Sequence, residues 1–518
     1  MNLPHEQENR DVIPIWRNFC ITSELGELSH LNTTPPIKFD LSALKTDWDN
    51  FKSIGTAADL VNAHFISDQE ISPKILEAVH YINNYSNTSD LLLKLTGDLC
   101  KKSTDSNTED NNTDIVNRHT LVSQLKYIIE NDVRSQIKNF KKLTIRDPKN
   151  AINWVELARL YSIEGNKYKA ERNILNALFL APDNRFVLRS ASRLFIEIDD
   201  PEKSLYFLRK SKHTGIDPWL TSAHIAVSSY TQKFSPFIKN ALKQRESKSF
   251  THFDLTELNS SLGTLELSNG NFKKSKPFFN DSLKYPNDNS LAQFQFILNQ
   301  DSRLSNIIQP LNSDVKNNYE ALALKNKEEG NWDKAVENAL KWFIDIPYST
   351  EPAVLASYIL CTVIADFEMA VEICELSLKT NPKETGILNN LTYSLLQLNR
   401  IDEAKKYLDI MNSHIKLKEN SLTKEASLTF IATNALYLIK IGNIDDGILM
   451  YQEAIMIAKK EGLKYYLLAG QLNLAKELEK INHYDSKQLI DKVLKFNLED
   501  HKDLQAFRQF NFNQVCSN

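Results

Sequence analysis

Residues 154–182 read WVELARLYSIEGNKYKAERNILNALFLAP, and the Gly165-Asn166 pair in their middle decides the fold. Apolar positions recur at helical spacing on both sides of the pair. Glycine is the residue that most cheaply ends a helix in a left-handed turn. Five places after it, Ala170 is small enough for the next helix to press against the one just ended. The same device returns at Gly270-Asn271 with Ser275, Gly330-Asn331 with Ala335, and Gly442-Asn443 with Gly447. Asn399 with Ala404 repeats the spacing without the glycine. A helix-turn-helix unit used over and over is the sequence signature of a helical solenoid.

The flanks of each pair fill out the unit. Around the first stand Trp154, Leu157, Ala158, Tyr161, Ala170, Ile174, Ala177 and Pro182. This resembles the tetratricopeptide repeat, in which W-x2-L-G-x2-Y, A-x3-F and a final Pro recur over about 34 residues. Ala158 stands for the glycine of that pattern and Ile174 for its phenylalanine. Further copies run through Leu188, Ala191 and Phe195; Leu262-Gly263 and Phe279; Tyr319, Trp332, Ala335 and Pro347; Ala370 and Pro382; Leu388, Leu391 and Leu408; and Ala435, Leu438 and Tyr451. A weaker one spans Gln471 to Leu494. Terminal prolines in near-constant register separate this reading from an ordinary helical bundle, which has no reason to keep a period. The resemblance implies an all-α, right-handed tetratricopeptide-like solenoid over residues 117–497, in about eight or nine units. The register slips between residues 290 and 315.

Composition sets the outer bounds. Glycine is scarce, 13 in 518 residues, as long helices with short turns require. The net charge of −4 argues against a dedicated nucleic-acid binder. The five cysteines are scattered and form no Cys-x-x-Cys, a reducing-compartment pattern. Met1 to Asp11 has no apolar signal-peptide core, and the run Ala353 to Ala365 falls short of the ~20 residues that cross a bilayer. A soluble, cytoplasmic protein with no membrane contact is expected.

Residues 1–100 show no repeat and are expected to form a small, mainly helical region. Val12 to Ile21 reads as a short strand or an extended arm. Thr56, Ser72-Pro73 and Ser89-Asp90 are expected to open helices. Lys101 to Asp114 (KKSTDSNTEDNNTD) lacks large apolar residues, which makes 101–116 a polar linker. The tail, 498–518, carries Leu504, Phe507, Phe510 and Phe512 and suits a helix capping the last unit.

Chemistry leaves few marks. No P-loop, G-x-G-x-x-G, His-Glu-x-x-His, kinase or hydrolase signature occurs. His64 and His80 stand among Asp68, Glu70 and Glu77 in the region of Cys20 and Cys100, but no pair has a diagnostic ligand spacing. No catalytic residue, metal or cofactor is assigned. Charge does concentrate: Arg134 to Gly215 holds seventeen Lys and Arg against nine Asp and Glu, a balance of +8 inside a chain of −4. The tetratricopeptide resemblance places the first helix of each unit on a concave groove, so Arg159, Arg189 and Arg193 would point into it. There they would grip carboxylates of an acidic protein or peptide, a carboxyl terminus or phosphates. Without aromatic interleaving, nucleic acid is the weaker partner. The expected function is a non-catalytic scaffold or adaptor. The alternatives are a sensor or regulatory subunit of a multi-protein system, of the kind bacterial signalling and defence systems use, and an enzyme with its site in residues 1–100.

Overall fold

The computed structural model describes residues 10–19, 41–67, 72–83, 96, 118–247, 249–300, 304, 315–417 and 423–512. Every regular element among them is helical. The chain forms two compact units, one of residues 27–115 and one of residues 1–26 with 116–518. Residues 10–19 therefore belong with the larger unit and not with the amino-terminal region expected over residues 1–100.

The smaller unit contains α1 (Leu41–Asn50), α2 (Ile54–Ser67) and α3 (Pro73–Asn83). Trp48 of α1 packs with Leu60 and Val61 of α2 and with Ile75, Val79 and Ile82 of α3. Proline opens α3 at the expected place. The cap of α2 is Ser53 and not Thr56: the Thr56 N–H donates to Ser53 Oγ, and the Ser53 N–H donates back to Thr56 Oγ1. A serine three residues ahead of a hydroxyl completes a reciprocal box that one threonine alone could not. The expected helix at Ser89-Asp90 and the linker 101–116 lie outside the described residues.

The larger unit is a succession of helices. It opens with α4 (Arg118–Tyr127), which runs through a π-helical segment, Ile128–Asp132, into α5 (Val133–Arg146). Then come α6 (Ala151–Ile163), α7 (Lys167–Leu180), α8 (Arg185–Glu197), α9 (Pro201–Lys210) and α10 (Pro218–Tyr230). They are followed by α11 (Ile238–Glu246), α12 (Thr256–Ser268), α13 (Phe272–Ser282) and α14 (Asp288–Gln300). Next are α15 (Tyr319–Glu329), α16 (Trp332–Asp345), α17 (Glu351–Ile359), α18 (Phe367–Thr380) and α19 (Thr385–Gln397). The last are α20 (Ile401–Leu417), α21 (Lys424–Lys440), α22 (Ile444–Lys460), α23 (Lys464–Lys480), α24 (Ser486–Leu494) and α25 (Lys502–Phe512).

Neighbours in sequence pack on one another, and so do alternate helices: α6, α8, α10, α12 and α14 form one row, and α17, α19, α21, α23 and α25 another. The first row ends at α14 and the second begins at α17, on either side of α15 and α16. The array also meets itself, since α4 packs on α16 and α18.

The turns explain the regularity. Gly165, Gly270, Gly330 and Gly442 have φ of +77°, +75°, +81° and +94°. After each, the asparagine N–H closes back onto the helix just ended, for instance Asn166 onto the Tyr161 carbonyl at 2.8 Å. Ala170, Ser275 and Ala335, five places on from the first three glycines, are fully buried, as is Ala404 five places after Asn399. Asp199, Gln232, Asn399 and Asn482 make the same closure with φ between 51° and 64°, without glycine.

Candidate interaction groove

The side chains of the even row face an unexpected occupant. Residues 10–19, RDVIPIWRNF, form an arm that has no regular secondary structure up to a helical Phe19; of the two expectations for the run 12–21, no strand is formed in its described part, 12–19. Val12, Ile13, Trp16 and Arg17 are almost wholly buried. Ile13 packs on Leu205, Ala226 and Val227. The Tyr348 hydroxyl donates to the Trp16 carbonyl at 2.7 Å and accepts from the Trp16 N–H at 3.1 Å. One side chain thus satisfies both backbone groups of a buried residue that has no helix or sheet partner.

Two cations anchor the arm. Arg17 donates to both carboxylate oxygens of Asp345 at 2.8 Å and to Asp288 at 2.5 Å. Burial disfavours charge on Arg17, but the two carboxylates outweigh it and hold the guanidinium firmly protonated. Burial pushes the Asp345 carboxyl above its ordinary range, against the pull of Arg17. Arg10 makes a bidentate pair with Glu320 at 2.6 and 2.9 Å and reaches Gln293 and Asn289. Asn289 in turn donates to the Ile13 carbonyl at 3.1 Å. Asp11, beside Arg10 and bonded to Ser229, is pushed up to about 6 by burial.

The three arginines singled out from sequence all stand behind this arm. Arg159 pairs with Glu156 at 3.1 Å, and the other oxygen of Glu156 accepts the Phe19 N–H at 2.8 Å. Arg189 pairs with Glu257 at 2.9 Å and stacks over Trp219; Glu257 also accepts from Asn289, which holds Ile13. Arg193 pairs with Glu197 at 2.6 Å and lies 5.9 Å from the ring of Tyr348, which holds Trp16. The structure therefore brings them to one groove, each already matched by a carboxylate of the same chain. Glu156, Glu257, Asp288, Glu320, Asp345 and Tyr348, which make the grip, were missed by sequence reasoning: five are acids within helical runs and Tyr348 stands in a turn, and nothing local marks any of them.

A cleft of about 810 Å³ opens beside the arm, lined by Arg10, Asp11, Arg193, Glu320, Glu351 and Tyr230 among others. Burial raises the pKa of Glu351 despite Arg193 nearby. In the odd row the last member is α25. Leu504, Phe507 and Phe512 of α25 are buried as expected, while Phe510 stays exposed. Beyond covering α23 and α24, α25 reaches back to the π-helical segment Leu360–Ile364 that follows α17. Asp503 accepts from the hydroxyls of Tyr358 and Tyr465. Lys476 lies over the rings of Phe367, Tyr393 and Phe507, and burial lowers it to about 8.

Among the described residues no group of His, Cys, Asp and Glu is arranged to hold a metal ion. His80 is exposed, and the Glu77 carboxylate pairs with Lys52. Cys20, Asp68, Glu70 and Cys100 lie outside the described residues, as does the side chain of His64. Cys361 and Cys374 are buried thiols, and burial pushes Cys361 up to about 11. No helix of the described residues is long and apolar enough to cross a membrane. In comparisons with known proteins, no family model matches the chain and no curated protein matches it.

Proposed function

We propose that this protein is a non-catalytic scaffold or adaptor, a right-handed tetratricopeptide-like solenoid that holds a protein or peptide segment against its inner helices. The observation that carries the reading is the arm: an extended segment, residues 10–18 with Phe19, hydrogen-bonded by side chains of α6, α14, α15 and α16. Surfaces that recognise peptides in this way use aromatic pockets and paired charges, as Trp16 and Arg17 do here. The carboxylates Asp288, Glu320 and Asp345 favour a cationic, aromatic segment in this groove. An acidic partner, expected from Arg159, Arg189 and Arg193, meets arginines whose charge is already matched, so its place is elsewhere on the surface. The buried free thiols support a reducing, cytoplasmic setting.

A second reading, a regulatory subunit, is favoured by the same arm, because a groove that holds its own chain is open to competition. The test uses the full-length protein with Trp16→Ala and Arg17→Ala, and a labelled peptide of residues 10–19. Saturable uptake by the variant, with little by the wild type, is the expected result in fluorescence anisotropy. A variant of unchanged helicity that takes up no peptide would overturn the proposal.

A further inference from the structure

The seventeen cations of Arg134–Gly215 fall into two populations. Arg159, Arg185, Arg189 and Arg193 are shielded, Lys203 is part-exposed, and each of the five is in an ion pair. The other twelve are exposed, against only four exposed acids, Asp147, Glu164, Asp199 and Glu202. Ten of the twelve sit on α5, α7 and α9, the helices that alternate with the even row. Helix α5 has no acidic residue at all.

These three helices lie side by side. Lys141 of α5 and Lys169 of α7 stand over the same Tyr161 ring, at 5.8 and 5.2 Å. Lys203 of α9 reaches Glu171 of α7 at 2.6 Å. Between the flanking cations runs an apolar ridge on α7: Tyr168, Leu175 and Phe179 are 75%, 36% and 86% exposed. With Arg172 they occupy one face of the helix, a ridge about 16 Å long. Ile145, 80% exposed, extends the apolar surface at the end of α5.

We propose that this outer face of α5, α7 and α9 docks an acidic amphipathic helix of a partner protein. The partner's apolar stripe packs along Tyr168, Leu175 and Phe179, and its flanking carboxylates meet the lysines and arginines on either side. A ridge at helical spacing is the complement of another helix. A bilayer or a nucleic acid would use the charge but not that spacing. This inference rests on the scaffold reading and names the surface and the partner class.

The probe is a fluorescein-labelled acidic peptide with leucines at i, i+4, i+7 and i+11 and glutamates on both flanks, titrated into the full-length protein. Binding is expected to weaken about tenfold or more in the double variant Leu175→Ser, Phe179→Ser, both exposed positions, with helicity unchanged. Reversing Lys142 and Arg172 to Glu is expected to remove most of the salt dependence. No binding by the wild type, equal binding by the double variant, or tighter binding to phosphatidylserine-containing vesicles or single-stranded DNA would overturn the proposal. A pull-down from the native host separates it from the reading beneath it. Partners retained by the double variant place the docking face elsewhere and leave the scaffold standing; a wild type that captures nothing overturns both.

Discussion

At Gly165 two demands meet in one residue. Its φ of +77° is a left-handed conformation, and a Cβ placed there would lie 2.6 Å from the Lys379 carbonyl oxygen and 3.1 Å from that of Thr380. The first demand is local and was legible, because a glycine before asparagine between two helical runs announces such a turn. The second was not, since α18 lies more than two hundred residues further along the chain. Gly442 separates the two effects: its φ is +94°, but nothing stands within 4 Å of a Cβ there. Gly442→Ala should cost about 1 kcal/mol of strain alone. Gly165→Ala adds a collision with backbone that cannot rotate away, and should cost ~2–4 kcal/mol in all. Urea unfolding of both variants measures the difference, and equal losses would mean that the approach of α18 to this turn is not tight.

Helices were the most readable level, for the period of apolar residues and the capping signals are carried within each segment. What escaped were elements whose meaning depends on distant partners. Trp48 anchors α1 only because α2 and α3 bury it. Arg17 reads as a surface cation until Asp288 and Asp345 come to it from 271 and 328 positions away. Contact between successive helices, by contrast, is set by the small residue after each turn. Gly447 shows how close that contact becomes: a Cβ there would lie 2.6 Å from Ile439 Cγ1 and 2.8 Å from the Ala435 carbonyl oxygen. Ala335 holds the equivalent place on α16 and is fully buried. Ala335→Phe should therefore overpack the α15–α16 contact and cost ~1–3 kcal/mol, with helicity kept. Thermal unfolding followed by circular dichroism checks this, and an unchanged midpoint would show that the site has room to spare.

For the larger unit as a whole, the all-helical class was within reach of sequence, and an extended arm was one of two readings of residues 12–21, but the carboxylates and tyrosine that receive the arm were not. A run such as VIPIW could be a strand, and only the array decides that its polar backbone is satisfied by Tyr348, Asn289 and Glu156 instead. How firmly the arm sits depends on pH through Asp11. Its carboxyl, buried beside Arg10, is raised from the ordinary 3.8 to about 6, so the seated arm binds its proton more tightly than a released one does. The stabilisation from this group is fully present below the ordinary carboxylate range and is lost as pH rises through about 6. With part of the side chain open to solvent, the effect should be roughly 1–2 kcal/mol between pH 4 and pH 7.5. Hydrogen exchange at the Trp16 and Phe19 amides, corrected for intrinsic rates, should show protection falling across that interval. Asp11→Asn keeps the size of the side chain without its charge, so it should flatten the change and hold the arm more firmly at neutral pH. If the variant's protection falls with pH as steeply as the wild type's, then a different group governs release of the arm.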